Sequence, residues 1–187
     1  MKRDTAIVVE VRVRLEAAPD EVFAFLTDAE RYVKWQGVKA ELDPRPGGVF
    51  RVWMDADTVA RGEYMEVEPP RRVVFTWGWE GNSGLPPGST TVELTLEPDS
   101  DGTLLSLRHS GLPDGKAAAM HEEGWRFFTD RLMVAASGVE GANGRTEAPQ
   151  DVGGISTTRP SCSPKSQTSM NGGSIPSVVR AVQIWLR

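Results

Sequence analysis

The sequence predicts an α+β domain in which a curved antiparallel sheet wraps one long C-terminal helix, with short helices after the first strand. Three observations carry that expectation. Apolar residues recur at every second position in successive short segments between Ile7 and His109, the period of strands with one buried face. Between Asp114 and Ser137 the period changes to three and four, as in an amphipathic helix. Turns containing Gly or Pro separate the strand-like segments, which suits a meander.

In the first strand Ile7, Val9, Val11, Val13 and Leu15 alternate with Glu10, Arg12, Arg14 and Glu16. Pro19 and Asp20 then precede Val22, Phe23 and Leu26. Acids in a first turn suit the helix dipole, so a short helix follows and ends before Trp35. Pro44, Pro46, Gly47 and Gly48 make a turn, after which Phe50, Val52 and Met54 share a face and Asp55 to Asp57 reverse the chain in a hairpin. The next strand, about Val59 to Glu68, stops at Pro69 and Pro70, which have no N–H for a ladder. Within it Arg61 and Glu63 share the parity of Met65 and Val67, which would bring a charged pair inward; a bulge would reverse the parity and leave both in water. Both readings stay open. Val73, Phe75 and Trp77 form a further strand, residues 81 to 88 a loop, and Val92, Leu94 and Leu96 another strand. After a turn at 98 to 102, Leu105, Leu107 and His109 face one side.

In the long helix Ala117, Met120, Gly124, Phe128, Leu132 and Ala135 fall on one stripe, which must cover the sheet. Gly124 costs about 1 kcal/mol relative to Ala in mid-helix, so a packing reason is expected, either room for a ligand or for a bulky sheet residue.

These elements fill residues 1–138. Residues 139–187 differ in kind, with 21 Ser, Thr, Gly and Pro among 49 positions and Trp185 as the one aromatic. That composition predicts a low-complexity, disordered tail that is dispensable for the core; Val178, Val179, Val182, Ile184, Trp185 and Leu186 offer a short amphipathic helix as the alternative. Residues 1–138 hold 16 Lys and Arg against 23 Asp and Glu, a net of −7, and the remainder a net of +2. An acidic domain is a poor partner for a phosphate backbone, so nucleic acid is not expected. Cys162 is the single cysteine, so no internal disulfide forms. No segment has the length of a signal peptide or a membrane span, which makes a soluble cytoplasmic protein the expectation.

Five motifs occur in order: Pro-Gly-Gly at 46–48, Gly-Glu-Tyr-Met-Glu-Val-Glu-Pro-Pro-Arg-Arg-Val-Val-Phe-Thr-Trp at 62–77, Thr-Thr-Val-Glu-Leu at 90–94, Gly-Thr-Leu-Leu-Ser-Leu-Arg-His at 102–109 and His-Glu-Glu-Gly-Trp at 121–125. Together they make residues 7 to 137 resemble the Aha-type branch of the SRPBCC, or START-like, superfamily, named after activators of the heat-shock-protein-90 ATPase. The resemblance implies a helix-grip fold, with a six- or seven-stranded sheet around the long helix and a cavity between them. It also implies a small apolar ligand, while related members include cyclases and co-chaperone domains, and fold alone does not choose among them. True co-chaperones carry a separate N-terminal domain, whereas the first strand here starts near Met1, so a chaperone partner is not expected. A homodimer remains open.

The inner faces nominate a cavity lined by Phe50, Val52, Phe75, Trp77, Leu107, Met120, Gly124 and Phe128, with His109 as its polar contact and Trp79 at its rim. Aromatic and apolar linings with few polar groups are what small-molecule sites look like. His109 and His121 lack the i, i+4 spacing of a helical metal site, so neither metal nor cofactor is expected. No nucleophile elbow and no phosphate loop occur. Lys34, Lys39, Arg71 and Arg72 read as solvated charges. The leading function is therefore a binding protein for a hydrophobic or aromatic small molecule. A cyclase or dehydratase on a polyketide-type substrate, using His109, Glu63 or Tyr64 as acid or base, is the alternative, and a co-chaperone-type interaction domain the third.

Overall fold

The computed structural model describes residues 7–138; the tail at 139–187, with Cys162 and the apolar run Val178 to Leu186, lies outside the described residues. The elements run β1 (Ile7–Leu15), α1 (Pro19–Thr27), α2 (Ala29–Tyr32), β2 (Lys39–Leu42), β3 (Val49–Trp53), β4 (Val59–Glu68), β5 (Arg72–Trp77), β6 (Thr90–Asp99), β7 (Gly102–Leu112) and α3 (Gly115–Ala136). The strands form one antiparallel seven-stranded sheet ordered β1-β7-β6-β5-β4-β3-β2. From β2 to β7 it is a meander, and the first strand closes on the last, with Val11 opposite Leu107 and Val13 opposite Leu105. This is the expected helix-grip α+β fold.

Local chemistry fixes the helices. Pro19 stands in the first turn of α1 with Asp20 and Glu21 behind it, where a fixed φ and negative charge both help. Asp28 caps α2 by accepting from the Arg31 N–H at 3.0 Å. The Trp35 indole N–H donates to the Phe25 carbonyl at 2.9 Å, tying the chain after α2 back to the last turn of α1. Asp114 caps α3 by accepting from the Ala117 N–H at 2.7 Å.

The parity of β4 is settled outward. Ala60, Gly62 and Tyr64 are buried while Arg61 and Glu63 are exposed, and the pairing with β5 shifts between Tyr64 and Glu66. The extra residue there leaves Met65 on the outer face with Arg61 and Glu63, 52% exposed, and turns Val67 beyond it toward the core, so the charged pair does not share the face of Val67. Arg61 instead reaches Glu80 across the outer face at 3.8 Å. Gly62 is required by close approach, because a Cβ there would stand 1.7 Å from the Thr76 carbonyl oxygen.

The helix α3 presents a stripe rotated from the expected one. His121, Gly124, Trp125, Phe128, Thr129 and Leu132 are buried, whereas Met120, Ala117 and Ala135 are only half-buried. His121, Trp125, Phe128 and Leu132 follow spacings of four, three and four, which hold one face of a helix. The predicted stripe follows apolar residues and leaves out His121 and Trp125, whose ring nitrogens are buried on this face. No helix among the described residues is long and apolar enough to cross a membrane.

Candidate functional site

The space between sheet and helix is filled by aromatic rings. Phe50 on β3 stacks on Phe75 of β5, centroids 4.0 Å apart and planes 13° from parallel. Trp77 of β5 lies 5.7 Å from Phe50 and 5.2 Å from Trp125 of α3. Trp79 meets Trp77 edge to face at 5.4 Å. Offset and edge-on pairs of this kind add about 0.5–1.5 kcal/mol each beyond the area they bury. Phe50, Phe75, Trp77, Trp125 and Phe128 are essentially inaccessible to solvent.

A polar thread runs through this apolar interior. The Trp125 indole N–H donates to His109 Nδ1 at 3.0 Å, and His109 Nε2 lies 2.8 Å from Thr90 Oγ1. Thr90 Oγ1 donates onward to the Trp77 carbonyl at 2.9 Å. Because Nδ1 accepts, the proton sits on Nε2, and one neutral tautomer satisfies every member of the chain. Burial, reinforced by the neighbouring His121, lowers the His109 pKa to about 3. The two imidazoles stand edge to face, 5.0 Å between centroids. His121 Nδ1 donates to the Ala117 carbonyl at 2.7 Å. Its pKa is lowered by burial, with that hydrogen bond acting in the opposite sense.

His121 also marks where the interior meets solvent. A cleft of about 350 Å³ lies between the loop joining β5 to β6 and the first turns of α3. Trp79, Leu85, Ala117 and Met120 give it apolar walls, and Asn82, Asp114, Lys116 and His121 supply polar ones. Asn82 shapes the loop by accepting from the backbone N–H groups of Gly84 and Leu85, at 2.8 and 3.2 Å.

Of the residues nominated from sequence, Phe50, Val52, Phe75, Trp77, Leu107, His109, Gly124 and Phe128 are all buried in the interior. Met120 and Trp79 both line the cleft. Glu63 faces solvent on the outer side of the sheet. Tyr64 points inward, 1% exposed, with its hydroxyl lacking a hydrogen-bond partner among the described residues. Burial, with Asp43 adding to it, pushes its pKa well above the usual phenol value. Trp125, Thr90 and His121 were missed as members of the polar thread and the cleft. The Trp125 signal was present, four residues beyond His121 on the same helical face, whereas Thr90 is a small polar residue opening a strand and nothing local singles it out.

Residues 16–136 match the family described as Activator of Hsp90 ATPase homolog 1-like protein. The chain belongs to this family. That agrees with the Aha-type branch of the SRPBCC superfamily indicated by the ordered motifs. Among solved structures, an AHSA1-like protein of Rhizobium etli is 40% identical over 79% of this chain and 95% of its own, with a TM-score of 0.58. DynU16, a protein of the dynemicin biosynthetic locus, is 28% identical over 67% of this chain, with a TM-score of 0.61; the match spans 45% of DynU16. The Aha1 dimer of Colwellia psychrerythraea, 16% identical over 72% of this chain and 99% of its own with a TM-score of 0.64, shares the fold. No curated protein matches the sequence.

Proposed function

We propose that this AHSA1-like chain binds a small apolar or aromatic molecule at the Trp79 cleft. The observation that carries the reading is the junction of an apolar-walled cleft with the Trp79–Trp77–Trp125 cluster, so that a ligand would pack on Trp79, Leu85 and Met120 and meet polar groups at His121 and Asn82. A volume of about 350 Å³ falls at the small end of ligand sites. The place of DynU16 in a biosynthetic locus favours a small molecule over a protein partner. Binding rather than turnover is supported by His109, whose two ring nitrogens are both engaged inside the fold; a general base needs a free lone pair within reach of its substrate.

Native mass spectrometry of freshly purified full-length protein, followed by titration of the released molecule, tests this reading. Met120→Glu should weaken binding about tenfold or more by placing a charge against an apolar surface, and Trp79→Ala by a similar factor. Saturable binding unaffected by both variants, or no binding of any apolar molecule, would place the function elsewhere.

A further inference from the structure

A second groove lies at the other end of α3, where the chain after α2 passes beside the helix. It encloses about 620 Å³ and is lined by Lys34, Phe127, Asp130, Arg131, Val134, Ala135 and Gly138. Met120 and Arg131 are eleven residues apart, or about 16 Å along the helix axis, so this groove is separate from the Trp79 cleft. Its walls are unusually apolar for a surface, with Val134 60% and the adjoining Met133 39% exposed.

The feature that assigns a chemistry is Arg131. Its guanidinium lies 6.0 Å from the Phe127 ring centroid, and one terminal nitrogen donates weakly to the Lys34 carbonyl at 3.4 Å. Its Nε is buried with no acceptor, and no carboxylate among the described residues forms an ion pair with it. Partial burial lowers its pKa. A partly desolvated cation without a counter-charge favours an anion beside it, and a guanidinium offers a planar fork that matches a carboxylate. Lys34 adds a second positive charge at the rim, and Asp130, exposed on the same rim, leaves the lining with a net charge of +1.

We propose that this groove binds a free amphipathic monocarboxylate, its head on Arg131 and Lys34 and its apolar chain along Phe127, Val134 and Ala135. The domain as a whole is acidic, so a local positive charge beside an apolar trough selects an anionic head joined to an apolar body over a bare anion or a neutral lipid.

The test is a titration of the full chain with decanoate and with decanol, followed by calorimetry and by backbone amide shifts. Decanoate should bind saturably at the 127–135 face, and decanol, which has the same chain without the charge, about tenfold or more weaker. Arg131→Gln should lower decanoate affinity by a similar factor. Val134→Asp, at an exposed position that tolerates a polar side chain, should do so without relying on the folding of the arginine variant. Met120→Glu at the first cleft should leave decanoate binding unchanged, which separates failure here from failure of the Trp79 reading. Equal binding of decanoate and decanol overturns the proposal, as does insensitivity to both Arg131→Gln and Val134→Asp. Absence of binding at millimolar decanoate overturns it too, whether the chain's own later residues or a second copy fills the groove.

Discussion

The indole N–H of Trp125 donates to His109 Nδ1 at 3.0 Å, joining the long helix α3 to the strand β7 through a buried hydrogen bond. One end of that bond lies in the stripe that holds α3 on the sheet, and the other begins the thread through Thr90 to Trp77. Helix docking and the protonation state of His109 are therefore linked.

The pair should show energetic coupling. Trp125→Phe removes the donor and leaves His109 Nδ1 as a buried acceptor without a partner, at about 1–3 kcal/mol, with a further loss of packing. His109→Leu removes both ring nitrogens, and with them the acceptor for the Trp125 indole N–H and the donor to Thr90 Oγ1. A double-mutant cycle by urea denaturation should return a coupling of about 1–3 kcal/mol. Additive single effects would show that the hydrogen bond contributes little.

Stability should fall as the pH drops below about 6.5. The unfolded histidine protonates near its ordinary pKa of about 6.5, while folded His109 stays neutral down to about 3. The unfolded state thus binds more protons between those values, so the contribution is complete above about 6.5 and is lost as the pH falls toward about 3. One proton corresponds to about 1.4 kcal/mol per pH unit at the steepest. Between pH 6.5 and 5, above most carboxylate titration, the wild-type urea midpoint should decline and that of His109→Leu should decline less. Parallel curves would remove His109 from the account.

Tyr64→Phe should leave stability unchanged or raise it by up to about 1 kcal/mol, because Tyr64 is 1% exposed and its buried hydroxyl has no partner among the described residues. A loss of more than about 1 kcal/mol on thermal or urea unfolding would show that the hydroxyl is engaged.

Gly62→Ala should destabilise by about 1–3 kcal/mol, since the added methyl would meet the Thr76 carbonyl oxygen at 1.7 Å and force β4 from β5. A neutral melting temperature would mean the two strands separate at no cost.

Much of the architecture was legible because it depends on local periodicity and punctuation. The alternation of Val9, Val11 and Leu15, the prolines after Glu68 and the helical spacing after Asp114 specify each element within its own segment, and the meander follows from short turns. The ordered motifs added the family. Inward-facing residues such as Phe50, Phe75, Trp77 and His109 could be named because parity along a strand fixes the face on which they stand.

Three things came from tertiary structure alone. The faces of Arg61 and Glu63 depended on a bulge placed by the pairing of β4 with β5, which the sequence of β4 does not contain. The fate of His109 depended on which side chain of α3 arrived opposite it: an aliphatic residue would have left Nδ1 open to a ligand, whereas Trp125 takes that lone pair for the fold. The sequence by itself determined that an apolar, aromatic interior would form between sheet and helix. How its volume is divided between packed rings and open clefts at Trp79 and Arg131 was decided when distant segments met, because packing space is a property of pairs of surfaces and not of either strand or helix alone.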